Sequence, residues 1–171
     1  MKRIILISIL NVFFFSGVLA QTPQSRSERR AERQENRIQE VQTMLENKSF
    51  VFSPTHAMPL GGGSIHLSHT FEAEIRGDSI FSYLPFFGVA YRAEYGGRDI
   101  PFSFSLPLEK YNMTKDDKGY QINLEVKNKM DYISYMFHIS ELGYATLSIT
   151  STNRQAISFY GRVEKPESSE K

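Results

Sequence analysis

The chain has 171 residues, 20 basic and 19 acidic, with no cysteine or tryptophan but 13 phenylalanines and nine tyrosines. One domain's worth of chain with that many large rings can bury a real core. The near-neutral charge gives no long-range steering toward nucleic acid or anionic lipid. The absence of cysteine excludes disulfides and an acylated-cysteine anchor, so packing alone must hold the fold.

The first twenty residues read as a secretory signal peptide. Met1-Lys2-Arg3 supply the positive start, Ile4 to Val18 the apolar run, and Val18-Leu19-Ala20 a small-residue cleavage site before Gln21. The apolar run falls short of the ~20 residues of a comfortable helical span. Cleavage after Ala20 implies a periplasmic or secreted protein that is not integral to a membrane. The expected division is a signal peptide at 1–20, a charged N-terminal helix at 21–48, an antiparallel β domain at 49–164 and a disordered tail at 165–171.

Residues 26–37 are a dense mixture of charges in which Ala31 is the only apolar side chain. Ile38, Val41 and Leu45 then recur at helical spacing, with Met44 beside them, so only the last turns own a docking stripe. Ser25 or Ser27 is placed to cap the start. The interleaved glutamates make a solvated helix end a better reading of the arginines than an anionic contact.

From Phe50 the period changes to two. Phe50 to Ser53 reads as a short strand stopped by Pro54, and His56 to Gly63 as a loop ending in three glycines. Residues 70–84 read as a hairpin turning at Gly77-Asp78. The stretch from Pro85 to Gly97 is ambiguous, with Val89, Tyr91, Ala93 and Tyr95 as one face of a possible strand. Ile100, Phe102 and Phe104 alternate with small or polar residues. After the Asp116–Gly119 turn, three faces follow: Tyr120, Ile122, Leu124 and Val126; Ile133, Tyr135, Phe137 and Ile139; Ala145, Leu147 and Ile149. Ile157 and Phe159 end the series. Short strands with turn signals every eight to twelve residues predict a mostly β fold. It is an antiparallel meander of seven or eight strands with one N-terminal helix, closed as a barrel or folded as a two-layer sandwich. Periodicity does not choose between the two.

Several segments together resemble domain-of-unknown-function family 4251, found in secreted Bacteroidetes proteins. They are Ile75-Arg76-Gly77-Asp78, Tyr83-Leu84-Pro85-Phe86-Phe87-Gly88, Ser151-Thr152-Asn153-Arg154 and Ile157-Ser158-Phe159-Tyr160-Gly161. The Leu-Pro-aromatic-Phe-Gly piece is the most specific, with Phe86 where the family usually has tyrosine. The resemblance implies a secreted β-rich protein and brings no activity, cofactor or catalytic residue with it.

Candidate chemistry is sparse. His56, His66 and His69 lie close in sequence, with Glu72 and Glu74 nearby, and are weak metal candidates. An extended chain sends His66 and His69 to opposite faces, although the glycines let His56 converge with one of them. Surface histidines are the simpler account, and His138 is a solvent-facing or rim residue. Gly61-Gly62-Gly63 lacks the Lys-Ser/Thr pair and the following helix of a phosphate loop. Asp78, Glu94 and Asp99 offer carboxylates for hydrolysis, but nothing pairs them. No serine sits on a nucleophile elbow. Asp78-Ser79-Ile80 resembles a short O-glycosylation motif of Bacteroidetes, with Ser79 as acceptor.

The adjacent rings Phe86 and Phe87 cannot both enter one sheet face. With Pro85, and with Tyr83, Tyr91 and Tyr95 nearby, they form the candidate ligand-binding cluster. The competing reading makes both rings plugs of a barrel end. Two functions follow from different classes. One is a periplasmic, non-catalytic binding or accessory module for an apolar small molecule or lipid. The other is a structural or envelope module that contacts a protein partner. A hydrolase ranks below both, and no cofactor is implied.

Overall fold

The structure, a computed structural model, describes residues 25–68, 70–91 and 102–166. The expected signal peptide, His69, the stretch 92–101 with Glu94, Tyr95 and Asp99, and the last residues from 167 lie outside the described residues. The chain divides into two compact units, 1–32 and 33–171. The described part of the first is exposed helix.

That helix, α1, spans Arg26–Glu46. It begins in a reciprocal capping box: the Glu28 amide donates to Ser25 Oγ at 3.2 Å, and the Ser25 amide donates to Glu28 Oε2 at 2.8 Å. Its C-terminal half carries the stripe read from the sequence, with Val41, Met44 and Leu45 buried and Ile38 half-buried. It stops where Lys48 turns left-handed at φ 50° and donates its amide to the Leu45 carbonyl.

Among the described residues ten strands follow: β1 Ser49–Pro59, β2 Ile65–His66, β3 Glu72–Arg76, β4 Ser79–Leu84, β5 Phe102–Pro107, β6 Lys110–Asp116, β7 Gly119–Asn128, β8 Asp131–Ile139, β9 Tyr144–Ser151 and β10 Ile157–Glu164. They make a single antiparallel sheet in the order β5-β4-β3-β1-β10-β9-β8-β7-β6, with β2 added to the far half of β1. Nine strands on this path exceed the seven or eight expected, because Tyr111 and Met113 alternate too faintly to declare β6.

The sheet is a curled half-barrel. Strands β4 and β8 stand five places apart, roughly 24 Å in a flat sheet at the usual spacing. Yet the Tyr135 hydroxyl of β8 donates to Ser82 Oγ of β4 at 3.1 Å. The Phe137 ring likewise meets Phe50 and Phe52 of β1 edge-on at 5.8 and 5.6 Å. The inward residues of the central strands fill the interior, with Phe50, Phe52, Tyr135, Phe137, Leu147 and Phe159 at 0 % exposure.

Pro54 does not stop β1. The strand continues to Pro59 through an irregularity between Pro54 and His56, where Pro54 lies opposite Gly161. A bulge is where a strand tolerates a residue that cannot donate to the ladder. Gly161 is the complement of this bend, since a Cβ there would lie 2.2 Å from the Ser53 carbonyl oxygen. His56 therefore belongs to a strand rather than to the loop expected after Pro54.

The docked half of α1 is tied to the β8–β9 turn and to β10. Arg37 donates to the carbonyls of Leu142 and Val163. Gly143, at φ 85°, leaves the room that Val41 and Arg37 occupy. At the other end of this contact, Tyr111 of β6 donates to the Leu45 carbonyl at 3.1 Å. Among the described residues, no helix is long and apolar enough to cross a membrane.

Candidate functional site

Two regions carry half-buried apolar side chains at the margin of the core. The first is the segment after β4. Leu84 ends that strand buried, and Pro85, Phe86 and Phe87 follow half-buried, with both rings packed against the core. Phe86 meets the buried Phe102 ring edge-on at 5.9 Å. The chain then pairs with the β9–β10 turn. The Tyr91 amide donates to the Asn153 carbonyl, the Gln155 amide donates to the Val89 carbonyl, and the Val89 amide donates to Gln155 Oε1.

Asp131, 5 % exposed, organises that turn from the start of β8. Its carboxylate accepts from Ser151 Oγ at 2.8 Å, from the Thr152 amide at 3.0 Å and Oγ1 at 2.9 Å, and from Arg154 Nη1 at 3.2 Å. The Arg154 guanidinium in turn lies 5.7 Å over the Phe102 ring. A carboxylate so occupied holds a turn, and it leaves Arg154 facing an aromatic ring rather than solvent. Residues 89–91, which directly follow the Leu84–Gly88 piece, and residues 153–155 of the turn, far apart in sequence, thus form one clasp.

The second region is the seam where the sheet fails to close. β5 and β6 join through Leu108 and Glu109, whose amides donate to the carbonyls of Asp78 and Glu125. From that junction the two strands diverge as the opposite edges of the sheet, and no described strand pairs them together. Their inward residues face the core but are only partly covered. Phe104 lies opposite the buried Ser82, Tyr111 opposite Leu124 and Met113 opposite Ile122. Phe104, Leu108, Tyr111 and Met113 all remain half-buried. Lys48 Nζ lies 4.9 Å over the Tyr111 ring, and burial pushes the Tyr111 hydroxyl up to about 12.

The sequence candidates scatter across these surfaces. Tyr83 leaves β4 on the outer face and stacks on Phe71 at 5.5 Å, away from the inward row, and Tyr91 is exposed. His56 and His66 come together as directly opposed residues of β1 and β2, with ring centroids 5.1 Å apart. His138 is exposed on the outer face of β8. Ser79 is half-buried at the start of β4, and its neighbour Asp78 pairs with Lys48 at 2.8 Å. Among the described residues, no group of three or more His, Cys, Asp or Glu is gathered as for a metal ion. Sequence reasoning missed Asp131, whose role needs the β9–β10 turn in register. It also missed Phe104, Leu108, Tyr111 and Met113 as a group, because only sheet closure, or its failure, exposes them.

Residues 32–163 match the sequence model of a family described as Domain of unknown function (DUF4251). The chain belongs to the DUF4251 family. Its fold is similar to the crystal structure of a DUF4251 family protein from Bacteroides eggerthii DSM 20697, with a TM-score of 0.57 at 13 % identity, covering 76 % of this chain and 88 % of that one. At that identity the likeness concerns the fold alone. No curated protein matches the chain. Two segments that carry the DUF4251 resemblance in the sequence thus lie close in the fold: the residues directly after Leu84–Gly88 pair with Asn153 and Arg154 of the other.

Proposed function

We propose that this DUF4251 protein is an exported, non-catalytic binding module that takes an apolar ligand of the acyl-chain class along the seam between β5 and β6. The observation that carries this reading is the half-buried inward row of Phe104, Leu108, Tyr111 and Met113, on edge strands whose neighbours are fully buried. A half-barrel with a filled centre offers no room there, so an apolar guest gains most by covering the rim that closure would have covered. Phe86 packs edge-on against Phe102, the first residue of β5. Export is supported by the organisation of residues 1–20, and N-terminal sequencing of the secreted product should begin at Gln21.

The test is titration of a fluorescent fatty acid into the purified protein and into Phe104→Ser and Met113→Asp variants. Saturable binding by the parent that both variants lose, with little change in urea midpoint, supports the seam. A parent that does not bind saturably ends the reading.

A second reading has its own observation. Among the described residues β5 and β6 are edge strands, and an unpaired edge is a template for strand addition by a partner chain. It predicts concentration-dependent self-association or pairing of an extended peptide, with no uptake of the fatty acid.

A further inference from the structure

We infer that His56 and His66 form a two-histidine site for a borderline divalent transition-metal ion on the outer face of the β1–β2 pair. The site is separate from the seam and does not depend on the ligand reading. The two residues are direct cross-strand partners, and the bulge after Pro54 is what delivers His56 to this position. A metal at the usual Zn–N distance of about 2.0–2.1 Å sits about 3.2 Å from the centroid of a coordinating imidazole ring. The two rings, 5.1 Å apart and edge-on at 61°, would subtend roughly 105° at a metal once each turns a ring nitrogen toward it, close to a tetrahedral angle.

The tautomer of His56 is set by its neighbour. Thr55 Oγ1 donates its one proton to the Tyr160 carbonyl at 3.2 Å. Toward His56 Nδ1, 3.0 Å away, the same oxygen can then only accept. His56 accordingly carries its proton on Nδ1 and presents its lone pair on Nε2. A hydrogen bond of this kind, on the ring nitrogen away from the metal, is what orients and strengthens metal-binding histidines. His66 is exposed, so the pair is open to solvent and the remaining coordination positions fall to water or to a ligand the ion brings. Imidazole donors favour Cu²⁺ over Zn²⁺ and both over Ca²⁺ or Mg²⁺.

Calorimetric titration of the purified protein tests this. One equivalent of Cu²⁺ should bind, more tightly than Zn²⁺, while Ca²⁺ and Mg²⁺ give no heat. His56→Ala and His66→Ala should each weaken binding at least tenfold, and His138→Ala should leave it unchanged. Thr55→Val should weaken it several-fold with both rings still present, and Thr55→Ser should restore it, which marks Thr55 as a positioning residue. The metal-free melting temperature of His66→Ala should match the parent, since the residue lies on an exposed two-residue strand. Absence of saturable binding, or binding that survives both histidine variants, would overturn the proposal.

Discussion

The centre and the edges of one sheet obey the same alternation with opposite outcomes. On β8 and β10 the inward residues Tyr135, Phe137 and Phe159 are wholly covered, because strands on both sides and the opposite wall close over them. On β5 and β6 the inward residues Phe104, Tyr111 and Met113 follow the same period, yet among the described residues each has a neighbouring strand on one side only. Alternation therefore decides which way a side chain points, and the closure of the sheet decides whether it leaves water. Burial is a property of the assembled curl, and function is best sought where the two disagree.

The comparison breaks first at the centre. Phe137→Ala should cost about 3–5 kcal/mol, since the ring is fully buried and its edge-on contacts with two phenylalanines leave a cavity behind. Urea denaturation reads this directly, and a midpoint equal to the parent's would refute the inward assignment of β8. Gly161→Ala should come next, at about 1–3 kcal/mol, because the new methyl must displace the Ser53 backbone at the Pro54 bulge. At the edge, Phe104→Ser should cost less than Phe137→Ala, in proportion to the smaller area it covers. Equal losses at both positions would mean that the seam is closed in solution.

Alkaline titration sharpens the same contrast. Burial raises the hydroxyls of both Tyr135 and Tyr111 above their ordinary value, Tyr111 to about 12. A group that holds its proton more tightly when folded contributes stability in full below pH about 10. That contribution is lost as pH rises through the folded value. Urea midpoints should therefore fall from pH about 10 toward about 12, and Tyr111→Phe should flatten part of that fall. A slope unchanged by the substitution would place Tyr111 in solvent. The smallest effect belongs to Ser25→Ala, which removes one side of the capping box. It should cost about 1 kcal/mol or less, visible as a loss of helical circular dichroism without a change in the sheet.

Much of this fold was legible before any coordinates. The docking stripe of α1, the Gly77-Asp78 turn and the inward faces of β7 to β10 all follow from local period and turn chemistry. Three things did not. Pro54 reads as a stop, because nothing local announces that Gly161, over a hundred residues on, leaves space for a bulge. Tyr111 and Met113 are not read as a strand, because an edge strand beside polar neighbours lacks the run of aliphatic residues that marks a buried one. Asp131 draws no reading at all, since its partners at Ser151, Thr152 and Arg154 arrive only when β8 and β9 pair in register. The candidate site suffered most. The aromatic pair Phe86-Phe87 announced itself, but the seam is a consequence of where a sheet stops, and no window of sequence encodes that.

The most direct test of the account is a methyl NMR titration of the methionines with a fatty acid. Met44 is buried on the docked face of α1, Met113 lies on the seam and Met130 is 79 % exposed on the β7–β8 turn. A guest on the seam should shift the Met113 methyl saturably while Met44 and Met130 stay in place. Shifts confined to Met130, or spread without saturation over all three, would contradict the claim that the open edge of the sheet is where this protein binds.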